Sequence, residues 1–293
     1  MMNNICCLVL NYNDSETAIS LISRIKGYNV FSTILVVDNC STDESFDRLS
    51  SYSNASNYKV IKTDCNGGYG YGNNYGINYA YHVLKAEYVL LCNPDVSFEE
   101  AVVTRLASVL DENQDCIIAS AVQHDINNLE IFDKAWMIPS AFKYACSFSN
   151  QGNKRITKKY YESSYFEEKE VIVDCVPGAM LMIRAKYFIE LGGYDESIFL
   201  YCEEEMIGYK AKKMGFKTIL ATDCFYQHEH GTSINKSIKD EEKQKNMIIE
   251  NKLYFMKNYL KANFFEMSIA HIILFLKPFY LVLKHLILMV LGK

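Results

Sequence analysis

The sequence predicts an α/β fold with a mostly parallel central sheet. Three short, continuously apolar runs at residues 5–10, 34–37 and 88–92 each end in polar residues. Strands of a parallel sheet are covered on both faces and read as unbroken apolar runs, and ligands bind beyond their carboxyl ends. The polar residues after these runs therefore mark the predicted ligand-binding edge of the sheet.

The segments between and after these runs alternate between helix and strand patterns. Asp14 offers a helix cap, apolar residues follow at helical spacing, and Gly27 ends the helix. Such alternation gives βαβ units with right-handed crossovers. The further predicted elements are helix 43–49, strand 58–61, helix 73–85, helix 99–110, strand 116–122, a strand pair within 171–184 around Pro177-Gly178, helix 203–214 and a strand ending at His228. Residues 123–170 show no clear period, and we interpret them as a variable, substrate-facing insertion.

Composition excludes several classes of protein. The 293 residues are 49% hydrophobic, enough for a large core and too apolar for a disordered chain. The net charge of −5 argues against nucleic-acid binding, which needs clustered Lys and Arg. The ten cysteines include no C-x-x-C pair, and the start of the chain lacks a secretion-signal pattern. We therefore expect reduced thiols in a cytoplasmic protein.

The C-terminal segment has a different composition. Residues 263–291 are strongly apolar but contain Lys277, Lys284 and Pro278, which fit a membrane-spanning helix poorly. A helix lying in the membrane interface fits better, because its lysines can face water while its aromatic side chains face lipid. The alternative is a terminal helix packed on the domain or on a second subunit, as in a homodimer.

Several polar residues at predicted strand ends are candidates for donor binding. Asp38 could accept hydrogen bonds from a base or ribose, although Asp38 and Asp43 could equally cap turns. The glycine-rich loop 66–74 lets backbone approach a ligand and opens a helix whose N-terminus attracts phosphate. This loop matches neither the ATPase nor the dinucleotide motif.

Other candidates could hold a metal or move a proton. Asp95, in Asn93-Pro94-Asp95, could bind Mg²⁺ or Mn²⁺ together with nucleotide phosphates, although Asn-Pro also forms ordinary turns. His228 could complete that metal site, although a lone histidine is more often structural. The cluster at 203–205 could supply a general base, although acidic residues are also favoured at a helix start by the helix dipole.

Taken in order, these segments resemble glycosyltransferase family 2, with its GT-A fold, and within it the bacterial rhamnosyltransferase-like branch. The resemblance covers roughly residues 4–235. It rests on the motifs Val-Val-Asp38-Asn-x-Ser-x-Asp43, Asn66-x-Gly-Tyr-Gly-x-Gly-Asn-Asn74-x-Gly76, Leu-x-Asn93-Pro-Asp95, Pro177-Gly-Ala-x-x-x-Ile-Arg184, Gly-Gly193-Tyr-Asp195-Glu and His228-x-x-Gly-x-Ser233.

The resemblance implies a nucleotide-diphospho-sugar donor, a divalent metal, Mg²⁺ or Mn²⁺, at Asp95 and His228, and an acidic catalytic motif. That motif usually reads Glu-Asp-x-Asp, and here Glu203, Glu204, Glu205 and Met206 occupy its positions. Glu204 is then the expected base, with Glu203 as the alternative, while Met206 departs from the pattern. The expected donor-binding residues are Asn11, Tyr12, Asp38, Asn39, Gly68, Asn73, Asn74 and Asn93, and those expected on the acceptor side are Arg184, Glu205 and the 123–170 insertion.

The expected activity is therefore inverting, metal-dependent transfer of a sugar to a glycan or lipid-linked saccharide. Deoxythymidine-diphosphate rhamnose and a uridine-diphosphate sugar are both open as donors, because one fold can host many donor specificities. We expect a GT-A domain at 1–235, with a nucleotide-sugar half at 1–122 and an acceptor half at 123–235, then a helical extension at 236–293. The expected location is cytoplasmic, at the inner membrane face. A sugar-1-phosphate nucleotidyltransferase and an inactive membrane-associated scaffold are the competing interpretations.

Overall fold

The fold is built on a single nine-stranded sheet within the described part of the chain. This computed structural model describes residues 4–125, 134–149, 160–229 and 240–290, with side chains described up to residue 278. The strands are β1 (Ile5–Asn11), β2 (Thr33–Asp38), β3 (Tyr58–Lys62), β4 (Tyr88–Cys92), β5 (Val96–Ser97), β6 (Cys116–His124), β7 (Glu170–Val173), β8 (Met180–Arg184) and β9 (Lys217–His228).

The described helices cover the sheet and form the C-terminal segment. They are α1 (Ser15–Ile25), α2 (Ser45–Tyr52), α3 (Tyr69–His82), α4 (Glu100–Glu112), α5 (Ala141–Cys146), α6 (Ala185–Glu190), α7 (Glu203–Lys213), α8 (Glu241–Asn258) and α9 (Phe264–Val290), with a 3-10 turn at Ser163–Phe166. Two apolar clusters lie in the layers between sheet and helices. A third joins α5, α7, α8 and α9.

The sheet order is β3-β2-β1-β4-β8-β6-β9-β5, with β7 also paired to β9. Strands β1 to β4 run parallel, and β6 and β9 share their direction, because β8 lies antiparallel between β4 and β6. The prediction of a mostly parallel sheet is therefore confirmed. The carboxyl ends of β1, β2 and β4 lie at one edge, as expected for a ligand-binding edge.

The predicted strand pair within 171–184 is wrong. Both strands exist, but β7 pairs with β9, whereas β8 inserts between β4 and β6. All five residues of β8 are buried, and those of β7 alternate between buried and more exposed. Because β8 has a partner on each side in the middle of the sheet, it cannot form a simple hairpin with β7.

The C-terminal helices pack on the rest of the protein and also leave an apolar face exposed. Phe255 and Met256 of α8 and Ala270 of α9 are completely buried in the third cluster. On the other side of α9, Phe264 is 85% exposed and Phe275 is 70% exposed. Among the described residues no helix is long and apolar enough to cross a bilayer.

Candidate functional site

Asp38 lies at the carboxyl end of β2 beside the end of β1. Its carboxylate is fully buried and accepts hydrogen bonds from the Asn11 amide (3.0 Å), the Ser41 backbone N–H (2.9 Å) and the Ser41 hydroxyl (2.6 Å). Asn11 and Asp38 are register partners, so the sheet itself brings these two side chains together. The predicted pair is thus rigidly placed, and the Oδ1 atom, which accepts one hydrogen bond here against two at Oδ2, keeps acceptor capacity.

Asn39 connects this strand end to the glycine-rich loop. Its amide donates to the Asn66 side chain and to the Gly68 carbonyl, both at 3.0 Å. Gly68 has φ +95°, a conformation that residues with a side chain rarely adopt, and a Cβ there would overlap the Phe199 carbonyl. The next residue, Tyr69, donates its backbone N–H to that same carbonyl at 2.9 Å. The loop is therefore locked between β2 and the Phe199 segment.

A cavity of about 320 Å³ opens beside this loop, within the size range of small-molecule sites. Tyr12, Asn39 and Gly68, all predicted to bind donor, line it. Lys243 of α8 is the one cation among its described lining residues. Asn66 and Tyr69, from the predicted glycine-rich loop, also line it. Sequence reasoning missed the remaining lining residues, which are Leu10, Phe199, Leu200, Lys243 and Met247.

The two predicted metal ligands meet at the next strand end. Val96 of β5 pairs with His228 of β9, and this register sets the Asp95 Oδ1 atom 3.2 Å from the His228 Nε2 atom. One carboxylate and one imidazole fit Mg²⁺ or Mn²⁺ that takes its other ligands from phosphate and water. Among the described residues no group of three or more His, Cys, Asp or Glu side chains could hold a metal without a ligand's help. Gly231 and Ser233 of the same motif lie outside the described residues.

The acidic cluster begins α7 after an unusual turn. Tyr201 and Cys202 have φ of +75° and +73°, and Glu203 follows directly as the first residue of α7. Glu203 is buried, whereas Glu204 is only partly buried. Burial, reinforced by the neighbouring Glu204 carboxylate, raises the pKa of Glu203 to about 8. Glu203 therefore holds a proton at neutral pH more readily than an ordinary glutamate does.

The segment Gly178-Ala179 joins the metal pair to the acidic cluster. The Ala179 carbonyl accepts the Asn93 backbone N–H at 2.8 Å, and the Gly178 carbonyl accepts the Tyr69 hydroxyl at 3.1 Å. A Cβ on Gly178 would lie 2.9 Å from the Glu204 Oε1 atom, so the carboxylate packs directly on this glycine. The strand end that carries Asp95, the glycine-rich loop and Glu204 therefore all contact one short segment.

Four predicted residues do not join this arrangement. The Asn74 side chain bonds to the Tyr194 backbone on another loop, and the Asn73 amide donates to the Tyr69 carbonyl within α3. The Arg184 guanidinium bonds to the Cys116 and Leu110 carbonyls and the Tyr88 hydroxyl, at the amino end of β4. Glu205 is buried near Tyr144 of α5, and its charge helps to raise the pKa of that tyrosine after burial itself. We therefore remove Asn73, Asn74, Arg184 and Glu205 from the proposed site.

Comparison with known proteins gives one family and several relatives. The family model described as "Glycosyl transferase family 2" matches residues 6–191. The low-salt glycan biosynthesis hexosyltransferase Agl10 of Haloferax volcanii is 26% identical over 213 residues, covering 73% of this chain. The rhamnosyltransferase WbbL of Escherichia coli K12 is 25% identical over 141 residues, covering 47% of this chain. The chain spans 63% and 51% of the lengths of these two relatives.

Solved structures show the same fold at low identity. GalNAc-T7 with UDP, GalNAc and Mn²⁺ has a TM-score of 0.62 at 13% identity, covering 78% of this chain and 44% of that one. S. aureus TarS 1–349 with UDP-GlcNAc has a TM-score of 0.57 at 16% identity, covering 92% and 71%. The mannosyltransferase PcManGT of Pyrobaculum calidifontis with GDP-Man and Mn²⁺ has a TM-score of 0.56 at 12% identity, covering 94% and 74%. These likenesses confirm the predicted GT-A fold.

Proposed function

Because the chain belongs to glycosyltransferase family 2, we propose that it transfers a sugar from a nucleotide-diphospho-sugar to an acceptor hydroxyl, with inversion at the anomeric carbon. One observation carries the proposal. Asn93, two residues before Asp95, and Glu204 both contact the Gly178-Ala179 segment, which supports a metal-held diphosphate and a proton acceptor on either side of one reacting centre.

The donor side of the proposed reaction uses the strand ends and the glycine-rich loop. Tyr12, Asn39 and Gly68 line the cavity proposed for the donor, and the buried Asp38 at the end of β2 is the proposed partner of the base or ribose. Lys243 is the proposed partner of a phosphate, because among the described lining residues it alone carries a positive charge. The curated relatives are named a hexosyltransferase and a rhamnosyltransferase, which supports a hexose or deoxyhexose as the transferred sugar.

Glu204 is the proposed general base. It takes the proton from the acceptor hydroxyl while the oxygen attacks the anomeric carbon and the nucleoside diphosphate leaves. Glu203 is less suited to this role, because its raised pKa keeps it protonated near neutral pH. A Mg²⁺ or Mn²⁺ ion held by Asp95 and His228 would stabilise the negative charge of the leaving diphosphate.

The test is donor turnover with purified protein. A panel of uridine-, guanosine- and deoxythymidine-diphosphate sugars is incubated with Mn²⁺, Mg²⁺ or chelator, with and without lipid-linked saccharide extracted from membranes. The proposal predicts metal-dependent release of one nucleoside diphosphate, accelerated by acceptor, and a product of inverted configuration by NMR. Metal-dependent nucleotide binding without any turnover would instead support the inactive scaffold. Nucleotidyltransferase activity would appear as nucleotide-sugar synthesis from a sugar 1-phosphate and a nucleoside triphosphate.

The exposed face of α9 supports a second part of the proposal, that the protein binds the cytoplasmic surface of a membrane where lipid-linked acceptors are held. The face carries Phe264, Phe265, Ile272, Phe275 and Leu276, all more than half exposed. This helical stripe is of the kind that inserts into the headgroup region. Flotation with anionic liposomes should retain the full chain and lose the double variant Phe264→Glu, Phe275→Glu. Equal flotation of both proteins contradicts membrane binding, and a change from dimer to monomer in that variant would assign the face to a second copy.

A further inference from the structure

The turn that precedes the acidic cluster needs an external support. Tyr201 and Cys202 both adopt left-handed backbone conformations, which are uncommon for residues with side chains and persist where the surroundings hold them. Cys202 is the N-cap residue of α7, and its side chain makes no capping hydrogen bond. The direction in which Glu203 and Glu204 leave this turn therefore depends on contacts from other elements.

Asn251 of α8 supplies such a contact. Its side chain is 8% exposed, and its amide nitrogen donates to the Leu200 carbonyl at 2.6 Å and to the Tyr201 carbonyl at 3.1 Å. A side-chain amide carries two N–H donors, so one asparagine can satisfy both carbonyls at once. Buried carbonyls of an irregular turn need partners of this kind.

Other contacts fix α8 and the adjoining helix end against the same segment. The Asp195 Oδ2 atom accepts the Tyr259 hydroxyl at 2.6 Å and the Tyr254 hydroxyl at 3.2 Å. Burial alone would raise the pKa of Asp195, but these bonds and those from Ser197 hold it below its ordinary value, so the charged acceptor persists. Asp195, six residues before Tyr201, thus holds the end of α8, while Asn251 bonds to the turn itself.

Met206 also packs against α8, and this packing accounts for its departure from the family motif. It is 1% exposed and lies in an apolar cluster with Phe255 and Met256 of α8 and with Cys202. An acidic side chain at that position would be buried among apolar groups, and burying its charge would cost a large amount of folding free energy. The last position of the motif therefore serves the packing of α8 in this protein.

We propose that Asn251 is a positioning residue, which binds the Leu200 and Tyr201 carbonyls, holds Tyr201 and Cys202 in their left-handed conformation and thereby aims Glu204 at the acceptor. The catalytic meaning of this inference rests on the proposed function above. The geometric part stands on the two hydrogen bonds and the backbone conformation alone. The C-terminal segment is then part of the catalytic apparatus as well as a candidate membrane contact.

The test compares Asn251→Asp with a matched change on the same helix. Asn251→Asp keeps the shape of the side chain but sets an oxygen with no proton against two carbonyls. Asn258→Asp is the control, because Asn258 is exposed and donates only within its own helix, to the Tyr254 carbonyl. We expect Asn251→Asp to lower kcat about 10- to 100-fold, with KM for the donor and Kd for uridine or deoxythymidine diphosphate with Mn²⁺ within about threefold of wild type. The control should match wild type in all three quantities.

Amide hydrogen exchange gives a readout that does not need turnover. We expect the amides of residues 201–206 to exchange faster in Asn251→Asp than in wild type, and to be unchanged in Asn258→Asp. Asn251→Ala, which removes the donors without adding charge, replaces Asn251→Asp if that variant fails to fold. Wild-type kcat or unchanged exchange in a folded Asn251 variant overturns the inference. Absence of wild-type turnover with every donor tried contradicts the proposed function instead. Hydrogen exchange at residues 201–206 then tests by itself whether Asn251 holds the turn.

Discussion

The two sides of the proposed site are held by different kinds of contact. On the donor side, Asp38 and Asn11 are register partners on neighbouring strands, and Asp95 and His228 are set by the pairing of β5 with β9. On the base side, Glu204 follows a turn whose carbonyls are held by Asn251, about fifty residues further along the chain. The donor side is therefore placed by the sheet, and the base side by packing of the C-terminal helix. Variants on the two sides should fail in different ways.

The largest effect is expected on the donor side, from Asp95→Ala. Removal of the proposed metal carboxylate should lower turnover about 10³-fold or more and abolish the metal dependence of nucleotide binding, because charge on the leaving diphosphate is no longer stabilised. Steady-state donor turnover and nucleotide titration with Mn²⁺ measure both effects. Asp115→Ala is the control, since Asp115 precedes β6 and pairs with Lys217 at the other end of the sheet. Near-normal turnover of Asp95→Ala would contradict the metal role.

A comparison of two neighbouring carboxylates tests which of them is the general base. Glu204→Gln should lower kcat about 10²- to 10⁴-fold by removing the general base, while nucleotide binding stays intact. Glu203→Gln should lower kcat less than tenfold, since Glu203 already carries a proton near neutral pH. The measurement is kcat and donor KM for both variants at pH 7. The reverse order of effects would transfer the role of base to Glu203.

Gly178→Ala should lower turnover less than Asp95→Ala or Glu204→Gln does, because it alters only the contact between Gly178 and Glu204. The added methyl would lie 2.9 Å from the Glu204 Oε1 atom, so the carboxylate at the end of this flexible side chain must shift. We expect kcat to fall about tenfold with little change in stability, because small misplacements of a catalytic group are costly. Gly27→Ala is the matched control, as a Cβ there meets nothing within 4 Å. Equal kcat in the two variants would show that Glu204 has no need of this contact.

The last expected effect is on the pH dependence of stability and not on activity. The folded protein raises the pKa of Glu203 from 4.5 to about 8, so it binds this proton more tightly than the unfolded chain does. The stabilising contribution is complete below pH 4.5 and is lost as the pH rises towards 8. Glu203→Gln cannot ionise, so its free energy of unfolding should exceed that of wild type by about 3 kcal/mol more at pH 8 than at pH 5. Urea unfolding at the two pH values measures the difference, and a parallel pH dependence contradicts the assignment.

The sequence predicts the donor side better than the base side for a physical reason. Apolar strands that end in polar residues disclose Asp38 and Asp95 directly, because the carboxyl ends of parallel strands share one edge. The sequence does not show which face of a helix packs on which loop. The prediction that Asn74 binds the donor therefore misses its two hydrogen bonds to the Tyr194 backbone. Arg184 was misplaced for a similar reason, since β8 runs antiparallel and ends at the far edge of the sheet.

Sequence reasoning missed the contribution of α8 because this helix lies at 241–258, within the predicted helical extension at 236–293 and beyond the predicted GT-A domain. One signal was available in the sequence. Asn251 lies between Met247 and Phe255 at intervals of four residues, so a single polar side chain interrupts an apolar helical stripe. A buried asparagine in such a position needs hydrogen-bond partners, but the sequence alone does not identify them as the Leu200 and Tyr201 carbonyls.

The most direct test of the central claim is nucleotide binding followed by thermal unfolding. Wild type and Asp95→Ala are compared with uridine, guanosine and deoxythymidine diphosphates, each with Mn²⁺ or with chelator. We predict that one nucleotide at about 100 times its Kd stabilises wild type by about 2.7 kcal/mol, only when Mn²⁺ is present, and that Asp95→Ala loses this gain. Absence of stabilisation by every nucleotide, or equal stabilisation in chelator, would contradict a metal-dependent nucleotide-sugar site at this edge of the sheet.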